Sequence, residues 1–343
     1  MTASNGKRIL IIGGTGSMGA YLVPLLLEQG WSVDVAALEN GTVSHPRLTY
    51  RIADAKQLDT LKQLLANRYD AVIDFLNYTV DEYRQRYLLF LQNTGHYIFL
   101  SSYRVYTGND TLTGENSPRH RDAAADPVFR NSADYAINKA AEEDMLTASG
   151  AGNWTIVRPS IVFSRFSLPL FSLGAWAIFN RAQEGKTVLI PDLARQVRGT
   201  GTWSGDIARM FAGILFNERG FAQAYTFATH EHLAWETWGW YYKSLLGLRI
   251  DTIEMEDFLE IYWNKAQWAV WQITYDRILN RAMDNSKILR DIGMSASDLT
   301  PVYRALELEL SGIPKSFRFG GGEAVALNMD RYLASGGKII RHL

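Results

Sequence analysis

The chain of 343 residues has no cysteine. Disulfides, thiolate nucleophiles and cysteine-ligated zinc are therefore excluded. Net charge is almost absent too, with 35 Lys and Arg against 36 Asp and Glu. Nothing here has the basic footprint of a nucleic-acid binder or the charge block of an acidic tail. Long hydrophobic runs are also missing. The longest, SLPLFSLGAWAIF (Ser167–Phe179), begins just after Arg165 and is too short to span a bilayer. The opening MTASNGKR is polar and leads straight into a strand pattern, unlike a secretory signal. These absences imply a cytoplasmic chain with no membrane or nucleic-acid partner. Its length allows a large core and two domains.

What the sequence does contain is alternation. Short apolar runs (KRILIIGG, WSVDVAAL, RLTYRIA, DAVIDFLN, GHYIFLSS, NWTIVRPS) read as buried strands. Helical patterns separate most of them: MGAYLVPLLLEQG closed by Gly30, AKQLDTLKQLLANR, VDEYRQRYLLFLQNTG and SADYAINKAAEEDMLTASG. This order predicts an α/β fold, a Rossmann-like doubly wound parallel sheet with helices on both faces. Pro24 interrupts the first helical pattern and argues against a regular helix there. After Pro159 the alternation stops, and a smaller, mainly helical C-terminal substrate-binding region is expected. Within it, TWSGDIARMFAGILFN and AQAYTFAT read as a helix and a strand that return to the sheet. The expected division is 1–165 plus 200–230 for the dinucleotide and 166–199 plus 231–343 for the substrate. The run RHRDAAAD reads as a solvated loop near the mouth of the site, and RFGGGEAV as an ordinary loop. Five of the ten tryptophans lie between Trp235 and Trp268. Their helical spacing reads as core or an oligomer interface ahead of a nucleotide-stacking surface. His230 and His232 form His-x-His without a third ligand, so no metal is expected.

The segment IIGGTGSMG sets Gly13, Gly16 and Gly19 three apart between a strand and a helix. The first makes the tight turn, the second lets backbone approach a pyrophosphate, and the third lets helix pack on strand. Free N–H groups and the helix dipole then favour phosphate charge. An acid is expected at the end of the second strand for the adenosine ribose. Leu38 occupies that place and Glu39 comes one residue late, with no arginine nearby for a 2′-phosphate. NAD is favoured, and NADP stays open. Asp54 follows the third strand, either as an adenine partner or as a helix N-cap.

In YAINK, Tyr135 and Lys139 stand four apart on one helix face. Of 17 tyrosines, only this one has a lysine four residues later. A phenol, with a reference pKa of about 10, is a poor base at neutral pH. A nearby ammonium and a positive nicotinamide ring both favour the phenolate. Tyr135 could then take a proton from a substrate hydroxyl as hydride leaves the same carbon. Ser102, at the tip of the fifth strand, can hydrogen-bond the reacting oxygen, while Ser101 faces backbone or cofactor.

Together these residues resemble the extended short-chain dehydrogenase/reductase superfamily, and within it the NAD-dependent epimerase/dehydratase family acting on nucleotide sugars. The matching motifs are GGTGSMG, SSYRVY, YAINKAAE, VRPSIVF and WSGDIARM, with DNSKILRDIGM beyond them. The resemblance implies catalysis by Ser102, Tyr135 and Lys139. It implies cofactor contacts from Gly13, Gly16, Ser17, Met18, Gly19, Asp54, Ala55, Phe75, Leu76, Asn77, Tyr135, Lys139, Pro159 and Ile161. Ser102, Tyr103, Arg104, Arg198 and Arg281 would meet a nucleotide-sugar substrate, and relatives pair as homodimers.

The departures matter as much. The family's 4,6-dehydratases carry Asp-Glu directly after the catalytic hydroxyl residue, and its decarboxylases a glutamate. Here Tyr103 and Arg104 stand there, and an arginine cannot act as a carboxylic acid. Epimerisation needs only the Ser–Tyr–Lys set and a cofactor that takes hydride and returns it. The expectation is therefore an NAD-dependent nucleotide-sugar epimerase. The alternatives are an NAD(P)H-dependent reductase of the same fold and a non-catalytic dinucleotide- or RNA-binding relative.

Overall fold

The computed structural model describes residues 6–108 and 112–337. The reading of the opening MTASN lies outside the described residues. Eleven strands are formed there: β1 Arg8–Ile12, β2 Ser32–Ala37, β3 Leu48–Ile52, β4 Tyr69–Asp74, β5 Thr94–Leu100, β6 Trp154–Pro159, β7 Ile161–Phe163, β8 Thr187–Pro191, β9 Gly201–Trp203, β10 Gln223–Phe227 and β11 Arg249–Ile253. Seven build one parallel sheet in the order β10-β6-β5-β4-β1-β2-β3. The order reverses at β1, which opens a crevice at the strand ends between β1 and β4. This is the expected doubly wound fold, and β10 is the predicted returning strand.

Alternation along each strand feeds two cores. Ile9, Ile11, Val33 and Val35 face the helices Gly19–Glu28 and Ser204–Ile214. Leu10, Ile12 and Val72 face the helices Leu58–Leu65 and Tyr87–Asn93. A third cluster gathers Phe163, Phe171, Trp235, Trp238, Ile273 and Val302. Gly199 and Gly201 make room for its indoles, because an added Cβ would lie 2.2 Å from the Trp235 ring and 2.5 Å from that of Trp238. Trp235 and Trp238 are thus core, whereas Trp240 and Trp268 are exposed. Among the described residues, no helix is long and apolar enough to cross a membrane.

Three local expectations change. The first helix runs unbroken through Pro24. A proline costs it one N–H bond, and Leu22, Val23, Leu26 and Leu27 hold it by burial. The pattern after Thr79 splits into Val80–Arg84 and Tyr87–Asn93. There the Glu82 carbonyl accepts from the Arg86 guanidinium at 2.6 Å, while the Arg86 N–H donates to Tyr83 instead. RHRDAAAD is solvated in part, with Arg121, Asp122, Ala123 and Ala125 exposed, but it is not simply a loop. His120–Ala123 is a helical turn with His120 buried. Arg119 ties it to Asp144 at 2.7 Å and to Glu143 at 3.2 Å.

The helix Tyr135–Thr147 is locked to the sheet by Glu143. Its buried carboxylate takes two parallel bonds from Arg158 of β6, at 2.8 and 2.7 Å. Ser101, just past β5, donates a third at 2.5 Å. Arg158 also donates to the Tyr106 hydroxyl at 3.0 Å. Tyr106 in turn lies 2.8 Å from Thr226 of β10. We predict that Glu143→Gln, which leaves Arg158 buried without its counter-charge, costs about 3–5 kcal/mol in urea unfolding. A loss under about 1 kcal/mol would show that the pair contributes little.

His96 of β5 is buried. Its Nδ1 accepts from the Phe216 N–H at 3.1 Å, which leaves Nε2 to donate to Thr155 at 2.8 Å. Burial pushes its pKa down to about 4. The unfolded imidazole protonates near pH 6.5, so this contribution to stability is complete above 6.5 and lost as pH falls towards 4. Asp74 and Glu142, raised by burial, act in the opposite sense, so the test compares variants. The stability gap between wild type and His96→Gln is predicted to narrow by about 2 kcal/mol between pH 7 and pH 5. A gap that widens would contradict a neutral His96.

Candidate active site

The glycine loop starts where β1 ends. Gly13 has φ of +76°, in the left-handed region that favours glycine. A Cβ on Gly19 would sit 2.0 Å from the Gly14 carbonyl oxygen, so the helix begins pressed against the loop. A Cβ on Gly16 would meet only the Gly13 oxygen, at 3.7 Å, which leaves that side open. Beside the loop is a cavity of about 520 Å³. Of the expected cofactor residues, Gly13, Asp54, Ala55 and Leu76 line it, and Thr15, Leu38, Glu39 and Lys56 do so in addition. Glu39 thus reaches the wall although it comes one residue late in sequence. The cradle fits the adenosine half of a dinucleotide: apolar sides, the carboxylates of Glu39 and Asp54 for ribose hydroxyls and an open glycine face.

The other expected cofactor residues are placed differently. Asp54 accepts from the Lys56 N–H at 3.0 Å and the Gln57 amide at 3.2 Å, shaping the entry to the helix that follows. Its side chain does not cap that helix, whose N-cap is Gln57. Ser17 turns its hydroxyl to Ser164 at 2.6 Å and Ser204 at 3.0 Å, into the protein. Met18 packs on the core beside the first helix. Phe75 stacks edge-on against Phe211 at 5.4 Å, and Asn77 is exposed. Pro159 is buried at the end of β6, and Ile161 packs beside Tyr103 and Tyr106.

Ser102 follows β5 and is buried. Its Oγ accepts from the Arg104 N–H at 3.2 Å, which caps the short 3₁₀ turn Tyr103–Val105. Ser101 faces neither backbone nor cofactor but Glu143. The Ser101–Ser102 pair is therefore divided, one hydroxyl for the frame and one at the strand tip. Tyr135 opens its helix, capped by Asp134 through the Ala136 N–H at 2.8 Å. One turn on, Lys139 is only 1% exposed. Its ammonium donates to Glu142 at 3.0 Å and lies 4.7 Å from the centre of the Phe99 ring.

Asp74, at the end of β4, is a further buried carboxylate acting on Lys139. It accepts from the Leu76 N–H at 3.1 Å and from the Tyr78 and Tyr97 hydroxyls, both at 3.3 Å. Burial pushes Asp74 up to about 6 and Glu142 up to about 7, while the Lys139 charge draws both down. Sequence reasoning missed Asp74. Its only signal was an acid ending an otherwise apolar strand.

The expected substrate residues divide as well. Tyr103 is 3% exposed, and its hydroxyl accepts from Arg277 at 2.8 Å. The turn points this residue inward, so it is core and not a wall. Arg281 is 2% exposed. Its guanidinium is used by the Tyr106 carbonyl at 2.7 Å and the Tyr275 carbonyl at 3.1 Å. Arg198 is exposed, and its carbonyl accepts from the Arg281 N–H at 3.1 Å. Of the three arginines, only Arg104 lines the cavity beside Tyr135. Its guanidinium lies 5.3 Å from the centre of the Tyr135 ring. That cavity, of about 390 Å³, is also lined by Trp268, Trp271 and Gln272 from the C-terminal region. His232 is engaged by the fold, its Nε2–H donating to the Met283 carbonyl at 3.0 Å.

Comparison with known proteins follows the same lines. Residues 9–220 match the model of the NAD dependent epimerase/dehydratase family. Chloroplast stem-loop binding protein of 41 kDa b, from Arabidopsis thaliana, is 25% identical over 251 residues. The match covers 69% of this chain, which spans only 62% of that relative's length. UDP-glucose 4-epimerase of Thermus thermophilus, solved with NAD, superposes with a TM-score of 0.66 at 16% identity, over 89% of this chain and 98% of that one. dTDP-glucose 4,6-dehydratase of Bacillus anthracis, also solved with NAD, gives 0.65 at 14% identity, over 89% and 96%. These two likenesses are of fold, and they do not separate an epimerase from a dehydratase. The family match spans more than half of the sequence and contains the glycine loop, Ser102, Tyr135 and Lys139, and the chain belongs to the NAD-dependent epimerase/dehydratase family.

Proposed function

We propose that the protein is an NAD-dependent nucleotide-sugar epimerase, which oxidises one sugar hydroxyl and re-reduces the ketone on its other face. One observation carries this choice. The residues after Ser102 are a buried phenol and a guanidinium, where loss of water would call for a free carboxylic acid. The carboxylate on that wall, Asp134, is occupied as a helix cap, accepting from the Ala136 N–H at 2.8 Å.

Bound NAD supplies a hydride acceptor and then a hydride donor. The glycine loop would hold its pyrophosphate by backbone N–H groups, since the Ser17 hydroxyl is engaged elsewhere. Glu39 at the adenosine cavity favours NAD, and Arg51 is drawn away by Asp34 at 2.7 Å. Ser102 would hydrogen-bond the reacting oxygen. Tyr135 would take the hydroxyl proton in the first half-reaction and return it to the carbonyl oxygen in the second. Lys139 would favour the phenolate, with Glu142 fixing its ammonium. Residues 166–199 and 231–343 would carry the substrate side, with Trp268 and Trp271 against the sugar.

The first test is to denature the purified protein and identify any released dinucleotide by mass and absorbance. About one NAD per chain is expected, as fits a cofactor that cycles in place. An empty site that takes up NADPH or NADH from solution would move the assignment to a reductase. No uptake of either would favour a binding role like that in the name of the Arabidopsis relative, against which the formal charge of −1 now weighs. A second prediction concerns chemistry alone. Tyr135→Phe is expected to lower turnover by at least about 10²-fold while leaving NAD content unchanged. Turnover that survives this change would remove Tyr135 from the mechanism.

A further inference from the structure

Arg104 is a charged side chain the proposed chemistry leaves unused. It lies two residues after Ser102, over the Tyr135 ring, on the wall of the cavity where a sugar would sit. Its side chain is 15% exposed, so water satisfies little of it. Its protein partners are loose. Asp134 stands 3.5 Å away and Asp276 3.6 Å away, and Nε has no hydrogen-bond partner among the described residues. Both carboxylates have other work. Asp134 caps the Tyr135 helix. Asp276 is paired closely by Arg277 and lies 3.7 Å from Arg281.

The local charge is therefore unbalanced. Among the described residues, three guanidinium groups, those of Arg104, Arg277 and Arg281, face two carboxylates, Asp134 and Asp276. The neighbouring His120 cannot compensate, and burial with the Arg281 charge holds its imidazole neutral. A desolvated cation in excess is costly unless an anion joins it. A guanidinium fork matches a carboxylate in two parallel bonds.

We propose that Arg104 binds a carboxylate carried by the sugar, on the carbon beside the one whose hydroxyl Tyr135 deprotonates. The substrate class is then a nucleotide-linked uronate. This rests on the epimerase reading above. The same oxygen chemistry could come from the nucleotide's diphosphate. Contact with the Tyr135 ring argues for the sugar, because it places the anion next to the reacting carbon. A cavity of about 390 Å³ also walled by Trp268 and Trp271 suits a sugar ring and its substituent without the nucleotide.

The test is calorimetric titration of the NAD-loaded protein with UDP-glucuronate, UDP-glucose and UDP. Wild type is expected to bind UDP-glucuronate at least about tenfold more tightly than UDP-glucose. Arg104→Gln should erase that preference and leave UDP affinity and NAD content unchanged. Should Arg104→Gln fail to fold, Arg104→Lys keeps the charge without the fork, and a reduced preference is expected. Equal affinity of wild type for the two sugar nucleotides overturns the proposal. So does an equal weakening of all three ligands by Arg104→Gln, which would assign the guanidinium to the diphosphate. Binding of neither sugar nucleotide overturns this proposal and the nucleotide-sugar reading together. A clear preference for UDP-glucuronate without inversion of the sugar would sustain the carboxylate site and sink the epimerase.

Discussion

The buried carboxylate of Glu143 is the joint on which the site depends. It accepts from Ser101, twice from Arg158 and once from Arg119, so none of its capacity is wasted. Those donors come from the tip of β5, from β6 and from the turn before His120. A buried ion pair is favourable only with such geometry and with its remaining lone pairs satisfied. Here that condition is met, and its structural consequence is indirect. Ser102 and Tyr135 sit on different elements, and neither holds the other. Each is one residue or two turns from an atom that Glu143 has already placed.

Opposed charges then recur at each position near the chemistry. Lys139 is held between Glu142 and the influence of Asp74. Arg104 is set between Asp134 and Asp276. In a low-dielectric interior such pairs orient strongly, and any imbalance is felt strongly too. Around Lys139 the acids are in excess, and around Arg104 the guanidinium groups are. Burial raises the carboxyl pKa values of Asp74 and Glu142, and the guanidinium excess among the described residues leaves a fork with room for an anion.

Sheet topology keeps the two cavities apart, and they share no lining residue. The adenosine-sized cavity lies over the ends of β1 to β3. The Tyr135 cavity lies beyond β5, lined also by Trp268, Trp271 and Gln272. Between them is the reversal of strand order, the place where doubly wound sheets bind dinucleotides.

Much of this was legible in the sequence. The strand runs, the helical spacing and the glycine loop are local patterns, set by side-chain period and by the backbone freedom of glycine. Tyr135 and Lys139 share a face because four residues make about one helical turn. What needed tertiary structure were contacts between distant residues. Ser101 and Ser102 look alike in sequence, and only Glu143, 42 residues away, separates their roles. Tyr103 and Arg104 read equally as site residues, yet the turn buries one against Arg277 and leaves the other over Tyr135. Arg281 reads in the sequence as a substrate residue, yet its guanidinium donates to the Tyr106 and Tyr275 carbonyls. Period and composition determine which elements form. The direction of each side chain at a strand tip is decided by whatever the folded chain brings opposite it.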